Sequence, residues 1–260
     1  SNNRFNKVIW YKITYLKNSI IYIFDFDGVL CDSINECMLT SYNAYKNTQL
    51  LYIDEIPEDF RNYFYKYRYY VKPAKEYLIL CEAYYKKINL SVSIFNEMKI
   101  LYKEKIIIFE KHFFSQRKFM QKNKKLWLSY HKMYNHSENF VSQLSSKFYI
   151  ITNKDYDSVK ILSKHFRFNE KIKKIFSKEL SNDKKILFQH FFDTVFIEKK
   201  ETRIIFVDDN EEHLVRLKFF PIELYFAKWG YAKKQRYNSF KEINSLAEIK
   251  WDILGLILIK

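Results

Sequence analysis

The chain has 260 residues with only 3 Gly, 3 Pro and 3 Cys, against 22 Tyr and 24 Phe. At average usage, a protein of this length would carry roughly 18 Gly and 13 Pro. Because glycines stand only at Gly28, Gly230 and Gly255, the sequence contains no Walker A loop, no dinucleotide-binding G-x-G-x-x-G and no G-x-S-x-G nucleophile elbow. Hydrophobic residues make up 48% of the chain and aromatic residues 19%, which excludes wholesale disorder and suits one large domain or two smaller ones.

The net charge of +15 is spread unevenly along the chain. Residues 61–135 contain 17 Lys or Arg and 5 Asp or Glu, so this stretch alone holds +12. Such a basic block favours an anionic partner, for which nucleic acid or another polyanion is one candidate. However, Lys outnumbers Arg by 37 to 8, and Arg is the usual residue for recognition of phosphate and guanine. The block is therefore explained more simply by a composition typical of AT-rich coding sequence.

The cysteines and the apolar runs indicate a cytoplasmic protein. Cys31, Cys37 and Cys81 are odd in number and lack metal-type spacing, so we expect reduced thiols. The longest apolar runs, Ile20–Phe24 and Ile253–Ile259, are far shorter than the ~20 residues of a membrane span. We therefore expect no membrane association.

Three apolar runs end abruptly in small or acidic polar residues. They are Ser19–Phe24 before Asp25, Lys147–Ile151 before Thr152, and Arg203–Val207 before Asp208. Continuous β-branched and aromatic runs without alternation are typical of parallel strands covered on both faces. Weaker strand candidates are Lys173–Phe176 and Ile222–Phe226, and helices are predicted over Ile34–Thr48, Asn135–Leu144, Asp155–His165, Asn182–Ile197 and Glu211–Lys218. This alternation predicts an α/β fold with an open, doubly wound parallel sheet.

The pattern changes between residues 47 and 134, where no strand-to-acid run occurs. Helices are predicted instead over Ala74–Lys87, after Pro73, and over Ser93–Lys118. We interpret residues 47–134 as a helical cap domain inserted between two parts of one core, residues 1–46 and 135–260.

Four aspartates follow the predicted strands: Asp25, Asp27, Asp208 and Asp209. Ligands of doubly wound sheets bind at the carboxyl ends of the strands. If the strands are neighbours, these carboxylates converge, and such crowding is costly unless a cation holds them together. Oxygen ligands of this kind suit Mg²⁺, and a carboxylate can also act as a covalent nucleophile.

The segment Phe24–Ser33 resembles the first motif of the haloacid dehalogenase superfamily of phosphohydrolases. The resemblance implies that Asp25 is the nucleophile that attacks phosphorus. It implies that Asp27 is the acid/base that protonates the leaving oxygen and then activates water. Gly28 matches the turn beside the active site.

Two further motifs of the superfamily concern the phosphoryl group. Thr152, followed by Asn153, resembles the second motif, in which a hydroxyl and a backbone N–H hold the phosphoryl oxygens. The third motif is a lysine near the start of a helix, for which Lys184 is preferred and Lys178 and Lys185 stay open.

The pair Asp208-Asp209 resembles the acidic fourth motif, which implies a Mg²⁺ site completed by Asp25 and the backbone carbonyl of Asp27. The sequence leaves open how Asp208 and Asp209 divide the metal ligation. A later acidic position of some members falls on His213.

The resemblance implies a Mg²⁺-dependent phosphate monoester hydrolase that forms an aspartyl-phosphate and acts on a small phosphorylated metabolite. Two alternatives stay open: a phosphotransferase or phosphomutase on the same scaffold, and a basic nucleic-acid- or polyanion-binding protein with little catalysis. The oligomeric state is open too. Trp229-Gly230-Tyr231 resembles a trailing turn of many members, without an assigned role.

Overall fold

The computed structural model describes residues 20–195, 202–232 and 240–249. The strands are β1 Ile20–Phe24, β2 Cys31–Asp32, β3 Lys132–Met133, β4 Phe148–Ile151, β5 Ile172–Phe176, β6 Arg203–Asp208, β7 Glu223–Ala227 and β8 Lys241–Ile243. The α-helices are α1 Ile34–Lys46, α2 Glu58–Tyr67, α3 Tyr77–Tyr85, α4 Val92–Leu101, α5 Lys103–Lys122, α6 Lys124–Ser129, α7 Asn135–Gln143, α8 Tyr156–His165, α9 Lys184–Thr194 and α10 Glu211–Leu217. Short 3-10 helices lie at Ile53–Glu55, Arg68–Tyr70, Ala74–Glu76 and Asn169–Lys171.

Six of these strands form one parallel sheet in the order β5-β4-β1-β6-β7-β8. The predicted doubly wound α/β fold is thereby confirmed. β1 lies between the two other strands that end in predicted site residues, since Phe24 is paired with Ile150 of β4 and with Val207 of β6. The carboxyl ends of β1, β4 and β6 therefore lie side by side, as the sequence predicts.

Alternate residues of the central strands supply two separate cores, one on each face of the sheet. Phe24 and its neighbours pack with α7 and α8 through side chains such as Phe140 and Leu162. Ile23 and its neighbours pack with α9 and α10 through side chains such as Leu187 and Leu214. Burial on both faces explains why these strands are apolar without alternation.

Between β2 and β3 the elements are helical. The two short strands pair in antiparallel fashion, with Cys31 opposite Met133 and Asp32 opposite Lys132, so both ends of this helical segment meet at one place. Helix α1 packs against α3 and α5 of the same segment. Division into a core of residues 1–46 and 135–260 and a cap of residues 47–134 stays a prediction.

Several helix bounds differ from the predictions. Helix α1 ends at Lys46 instead of Thr48 because Asn47 adopts the left-handed conformation, with φ 53°, which is typical after a helix C-terminus. The region predicted as one helix over Ser93–Lys118 forms two, which meet at the buried Tyr102. The last residues of the predicted helix Asn182–Ile197 and the run Ile253–Ile259, with Gly255, lie outside the described residues.

Within the described ranges, no helix combines the length and the apolar character needed to cross a bilayer.

Candidate active site

Asp25 stands directly after β1 and is 7% exposed. Its backbone N–H donates to the Val207 carbonyl at 3.0 Å, and the backbone N–H of Phe26 donates to its Oδ1 at 2.7 Å. The chain then turns at Gly28, whose φ of +84° lies in the region that favours glycine. The predicted turn beside Asp25 is therefore present, and it fixes the carboxylate at the sheet edge.

Lys184 is the lysine that reaches this carboxylate. Its Nζ lies 2.7 Å from Asp25 Oδ2 and 2.7 Å from Asp208 Oδ2, and the side chain is 1% exposed. Helix α9 begins at this residue, because the side chain of Asp183 accepts from the backbone N–H of Lys185 at 2.9 Å. The alternatives lie elsewhere: Lys185 is exposed, and Lys178 Nζ lies over the Phe114 ring, 3.8 Å from its centroid.

The side chains of the paired aspartates at the end of β6 lie in different environments. Asp208 is fully buried and faces inward, where its Oδ2 contacts Lys184 and lies 3.0 Å from His213 Nδ1. Its Oδ1 accepts from the backbone N–H of Asn210 at 2.8 Å. Burial alone would raise the pKa of Asp208, but the positive charge of Lys184 and the contact with His213 hold that pKa well below its usual range.

Asp209, in contrast, lines the open cleft together with Asp25. Its Oδ2 accepts from the backbone N–H of Tyr231 at 2.6 Å. Burial and the negative charges of Asp208 and Asp25 raise the pKa of Asp209 to about 8. A bound cation would relieve this excess of negative charge.

Two glycines make room for Asp209. A Cβ at Gly28 would lie 2.3 Å from Asp209 Oδ2, and one at Gly230 would lie 2.3 Å from Asp209 Cβ. Trp229 fixes the same turn, since its Nε1 donates to the Val29 carbonyl at 3.1 Å. The sequence alone assigns no role to the Trp-Gly-Tyr turn. In the structure this turn packs around Asp209, the acidic residue that faces the cleft.

Asp27 is held by a lysine that the sequence did not single out. Lys154 Nζ lies 3.1 and 3.2 Å from the two carboxylate oxygens of Asp27, and Ser33 Oγ donates to Asp27 Oδ1 at 2.6 Å. Lys154 is 3% exposed. Its only signal in the sequence is its place immediately after Thr152 and Asn153.

Thr152 and Asn153 both line the cleft. The backbone N–H of Thr152 donates to the Phe176 carbonyl at 2.9 Å, so this group is engaged in the sheet and Thr152 offers a ligand its hydroxyl. The side-chain oxygen and nitrogen of Asn153 are both buried, and neither has a hydrogen-bond partner among the described residues. A ligand with both donors and acceptors beside this amide would satisfy the two atoms.

The cleft encloses a volume of about 50 Å³. Residues at the strand ends form the floor of the cleft, and residues of the helical segment between β2 and β3 form its wall. The strand-end residues are Asp25, Asp27, Thr152, Asn153, Lys154 and Asp209, and the wall includes Arg68, Tyr69, Lys72, Tyr77 and Arg117.

Arg117 of α5 ties the helical segment to the site loops. It donates to both oxygens of Glu36 at 2.8 and 2.7 Å and to Asp155 Oδ2 at 2.8 Å. Asp155 caps the N-terminus of α8, immediately after Lys154. Arg117 is 3% exposed, and the Glu36 and Asp155 carboxylates offset its charge.

Potential metal ligands are gathered at the same place. Asp25, Asp208 and His213 each offer an atom within 4.8 Å of the others. However, Oδ2 of Asp208 already contacts both Lys184 and His213. Asp25 and Asp209 face the cleft instead. Hard carboxylate oxygens at a solvent-open cleft fit Mg²⁺.

The overall arrangement is also found in solved structures. A haloacid dehalogenase-like family hydrolase from Streptococcus pneumoniae superposes with a TM-score of 0.61 at 15% identity, covering 90% of this chain and 99% of that one. The chain has a haloacid dehalogenase-like (HAD-like) fold. The comparisons therefore confirm the fold that the motifs of the sequence imply.

Two further structures share the HAD-like fold. A predicted phosphoglycolate phosphatase from Haemophilus somnus has a TM-score of 0.61 at 13% identity, covering 90% of this chain and 97% of that one. YfnB from Bacillus subtilis, named as a HAD-hydrolase in a magnesium-bound crystal structure, has a TM-score of 0.54 at 15% identity, covering 91% of this chain and 99% of that one. No protein-family model and no curated protein matches the sequence.

Proposed function

We propose that the protein is a Mg²⁺-dependent phosphatase that hydrolyses a small phosphorylated metabolite through an aspartyl-phosphate on Asp25. The observation that carries this proposal is the bridge from Lys184 Nζ to Asp25 and Asp208, at 2.7 Å to each, in a cleft that also holds Asp27 and Asp209. The names of proteins with the HAD-like fold, a predicted phosphoglycolate phosphatase among them, support the same reaction class.

In the first step a carboxylate oxygen of Asp25 attacks phosphorus, the bond to the leaving oxygen breaks, and the phosphoryl group is transferred to Asp25. The leaving oxygen takes a proton from Asp27. Lys184 stays paired with Asp25 and offsets negative charge on the phosphoryl oxygens, while the Thr152 hydroxyl and the Asn153 amide offer hydrogen bonds to them.

In the second step Asp27, now ionised, takes a proton from water, whose oxygen attacks phosphorus and releases inorganic phosphate and free Asp25. Lys154 and Ser33 hold the Asp27 carboxylate in its observed position.

Mg²⁺ would be held by Asp25, the backbone carbonyl of Asp27 and Asp209. The raised pKa of Asp209 and the crowding of carboxylates around one lysine support a cation at this place. When bound, Mg²⁺ supplies positive charge that draws the phosphate oxygens in and makes phosphorus more electrophilic. The buried Asp208 then serves to position Lys184 rather than to bind the metal.

The test is hydrolysis of p-nitrophenyl phosphate by the purified protein with Mg²⁺, followed as release of inorganic phosphate. We expect turnover that disappears with EDTA and in Asp25→Asn, and that persists in Asp54→Asn, which changes an exposed carboxylate outside the cleft. Turnover by Asp25→Asn equal to that of the unchanged protein would rule out the aspartyl-phosphate mechanism.

A further inference from the structure

Arg68 lines the cleft wall, and it has no carboxylate partner among the described residues. It begins the 3-10 helix that follows α2 and is 8% exposed. Its Nη1 donates to the Val71 carbonyl at 2.9 Å, and its Nε has no hydrogen-bond partner among the described residues. A guanidinium buried in this way carries a large desolvation cost that an anion would offset.

The other cations of the cleft are ion-paired. Arg117 contacts Glu36 and Asp155, Lys72 contacts Glu212, and Lys154 contacts Asp27. Among the described residues, no carboxylate oxygen lies within 4.0 Å of a side-chain nitrogen of Arg68, the distance that defines an ion pair. Among the described residues that line the wall, Arg68 is therefore the cation that is left for a ligand.

The Arg68 guanidinium is fixed in place by aromatic rings. Its Cζ lies 4.2 Å from the centroid of the Tyr231 ring and 5.1 Å from that of Tyr77, distances at which a ring face attracts a cation. Tyr231 is itself anchored, since its hydroxyl accepts from the backbone N–H of Ser33 at 2.9 Å and its own N–H donates to Asp209. Arg68 is thus held in a defined position relative to the loops of the site.

We propose that Arg68 binds a second anionic group of the substrate, a carboxylate or a second phosphate, so that the preferred substrates are phosphate monoesters with an additional negative charge. This inference rests on the proposed function, because the phosphoryl group that is transferred is assigned there to Lys184, Thr152 and Mg²⁺. Arg68 belongs to the cleft wall formed by the helical segment, and its guanidinium packs against the Tyr231 ring. A planar guanidinium is suited to either anion, since its donors match pairs of oxygens.

Binding of phosphonates that cannot be hydrolysed tests this inference without any turnover. Titration calorimetry with Mg²⁺ would compare ω-phosphonocarboxylates of one to four methylene groups with alkylphosphonates of equal length, and would include the matching bisphosphonates. We expect at least one series with a second anionic group to bind about 10- to 100-fold more tightly than its alkyl counterpart, the range for a hydrogen bond to a charged group. The series that is preferred tells carboxylate from phosphate.

The variants are Arg68→Gln, Arg68→Lys and the matched control Lys66→Gln, which removes an exposed charge two residues away. Arg68→Gln should lose the preference and still bind alkylphosphonates, Arg68→Lys should keep part of it, and Lys66→Gln should keep all of it. Equal affinity for the series with and without the second anionic group in the unchanged protein would overturn the proposal. An equal loss of affinity for both series in Arg68→Gln would also overturn it, because it would assign Arg68 to the transferred phosphoryl group. The proposed function fails separately, when p-nitrophenyl phosphate is not hydrolysed.

Discussion

Replacement of Gly230 by Ala tests whether this turn positions the acidic residue of the cleft. The new Cβ would lie 2.3 Å from Asp209 Cβ, 2.5 Å from Asp209 Oδ2 and 2.6 Å from the Gly28 carbonyl oxygen. All three distances are shorter than real Cβ contacts, and two of the three atoms belong to backbone or to the start of a side chain. Gly230 does not have a positive φ, so the effect of Gly230→Ala is steric.

Overpacking of a well-packed site costs typically ~1–3 kcal/mol, and we expect Gly230→Ala near the upper end because the Gly28 backbone cannot simply rotate away. The free energy of unfolding should fall by about 3 kcal/mol at most in urea titrations. If Asp209 holds Mg²⁺ as proposed, its displacement should also weaken Mg²⁺ activation of p-nitrophenyl phosphate hydrolysis by about 10- to 100-fold, the range for changes in the residues that support a metal ligand.

Gly28→Ala is the companion variant. It meets the same carboxylate, at 2.3 Å from Asp209 Oδ2, but adds a residue with a Cβ at φ +84°, which costs a further ~1–2 kcal/mol. We therefore expect Gly28→Ala to be the less stable of the two. If Gly230→Ala unfolds at the same urea concentration as the unchanged protein and needs no more Mg²⁺, the close packing around Asp209 does not matter and the reasoning is refuted.

Three further predictions concern buried charges. Arg117→Met should lower the free energy of unfolding in urea by about 3–5 kcal/mol, because it leaves Glu36 buried without its partner. Burial and the charge of Lys154 lower the pKa of His131 to about 4. Between about pH 6.5 and pH 4 the unfolded chain therefore binds a proton that the folded protein does not, and the free energy of unfolding should fall by up to roughly 3 kcal/mol over this range. His131→Gln should remove this pH dependence. Lys154→Met should lower kcat for p-nitrophenyl phosphate about 10- to 100-fold, because Asp27 is no longer held for proton transfer.

Each of these predictions has its own contradicting result. Arg117→Met should remain less stable than Lys118→Met, which removes an exposed charge next to it; equal stability would show that the buried pair adds nothing. Thermal or urea titrations of His131→Gln that keep the full pH dependence would place the acid sensitivity elsewhere. An unchanged kcat in Lys154→Met would separate Lys154 from the function of Asp27.

The fold and the strand-end residues could be predicted because their signals are local. An apolar strand that ends at Asp25, Thr152 or Asp208 is visible within a few residues, and parallel strands bring such ends to one edge of a sheet. The start of α9 was visible as well, because Asp183 is a common type of helix cap and Lys184 follows it directly.

The residues that complete the site could not be predicted, because their partners are far away in the sequence. Arg117 meets Glu36 across 81 positions, and Lys154 meets Asp27 across 127. Among 37 lysines and 8 arginines, nothing local marks Arg68, Lys154 or Arg117 as buried. Which lysine or arginine is buried, and beside which acid, depends on tertiary packing.

Tertiary structure also determines which of Asp208 and Asp209 faces the cleft. The two residues are adjacent, and successive side chains of a strand point to opposite faces. Asp208 is the last residue of β6 and turns toward Lys184, so Asp209 is left at the cleft. The sequence shows the pair, but the face toward which each points follows from where the strand ends.

The pairing of β2 with β3 has a topological consequence. Because Asp32 lies opposite Lys132, the whole stretch of residues 33–131 occupies the position of a hairpin loop. The entropy of closing a loop grows only slowly with its length, so insertions or deletions within this stretch are compatible with the same pairing at its base. A two-residue turn in its place would satisfy the geometry of an antiparallel hairpin, and the six-stranded sheet can accept very different helical segments at this one junction.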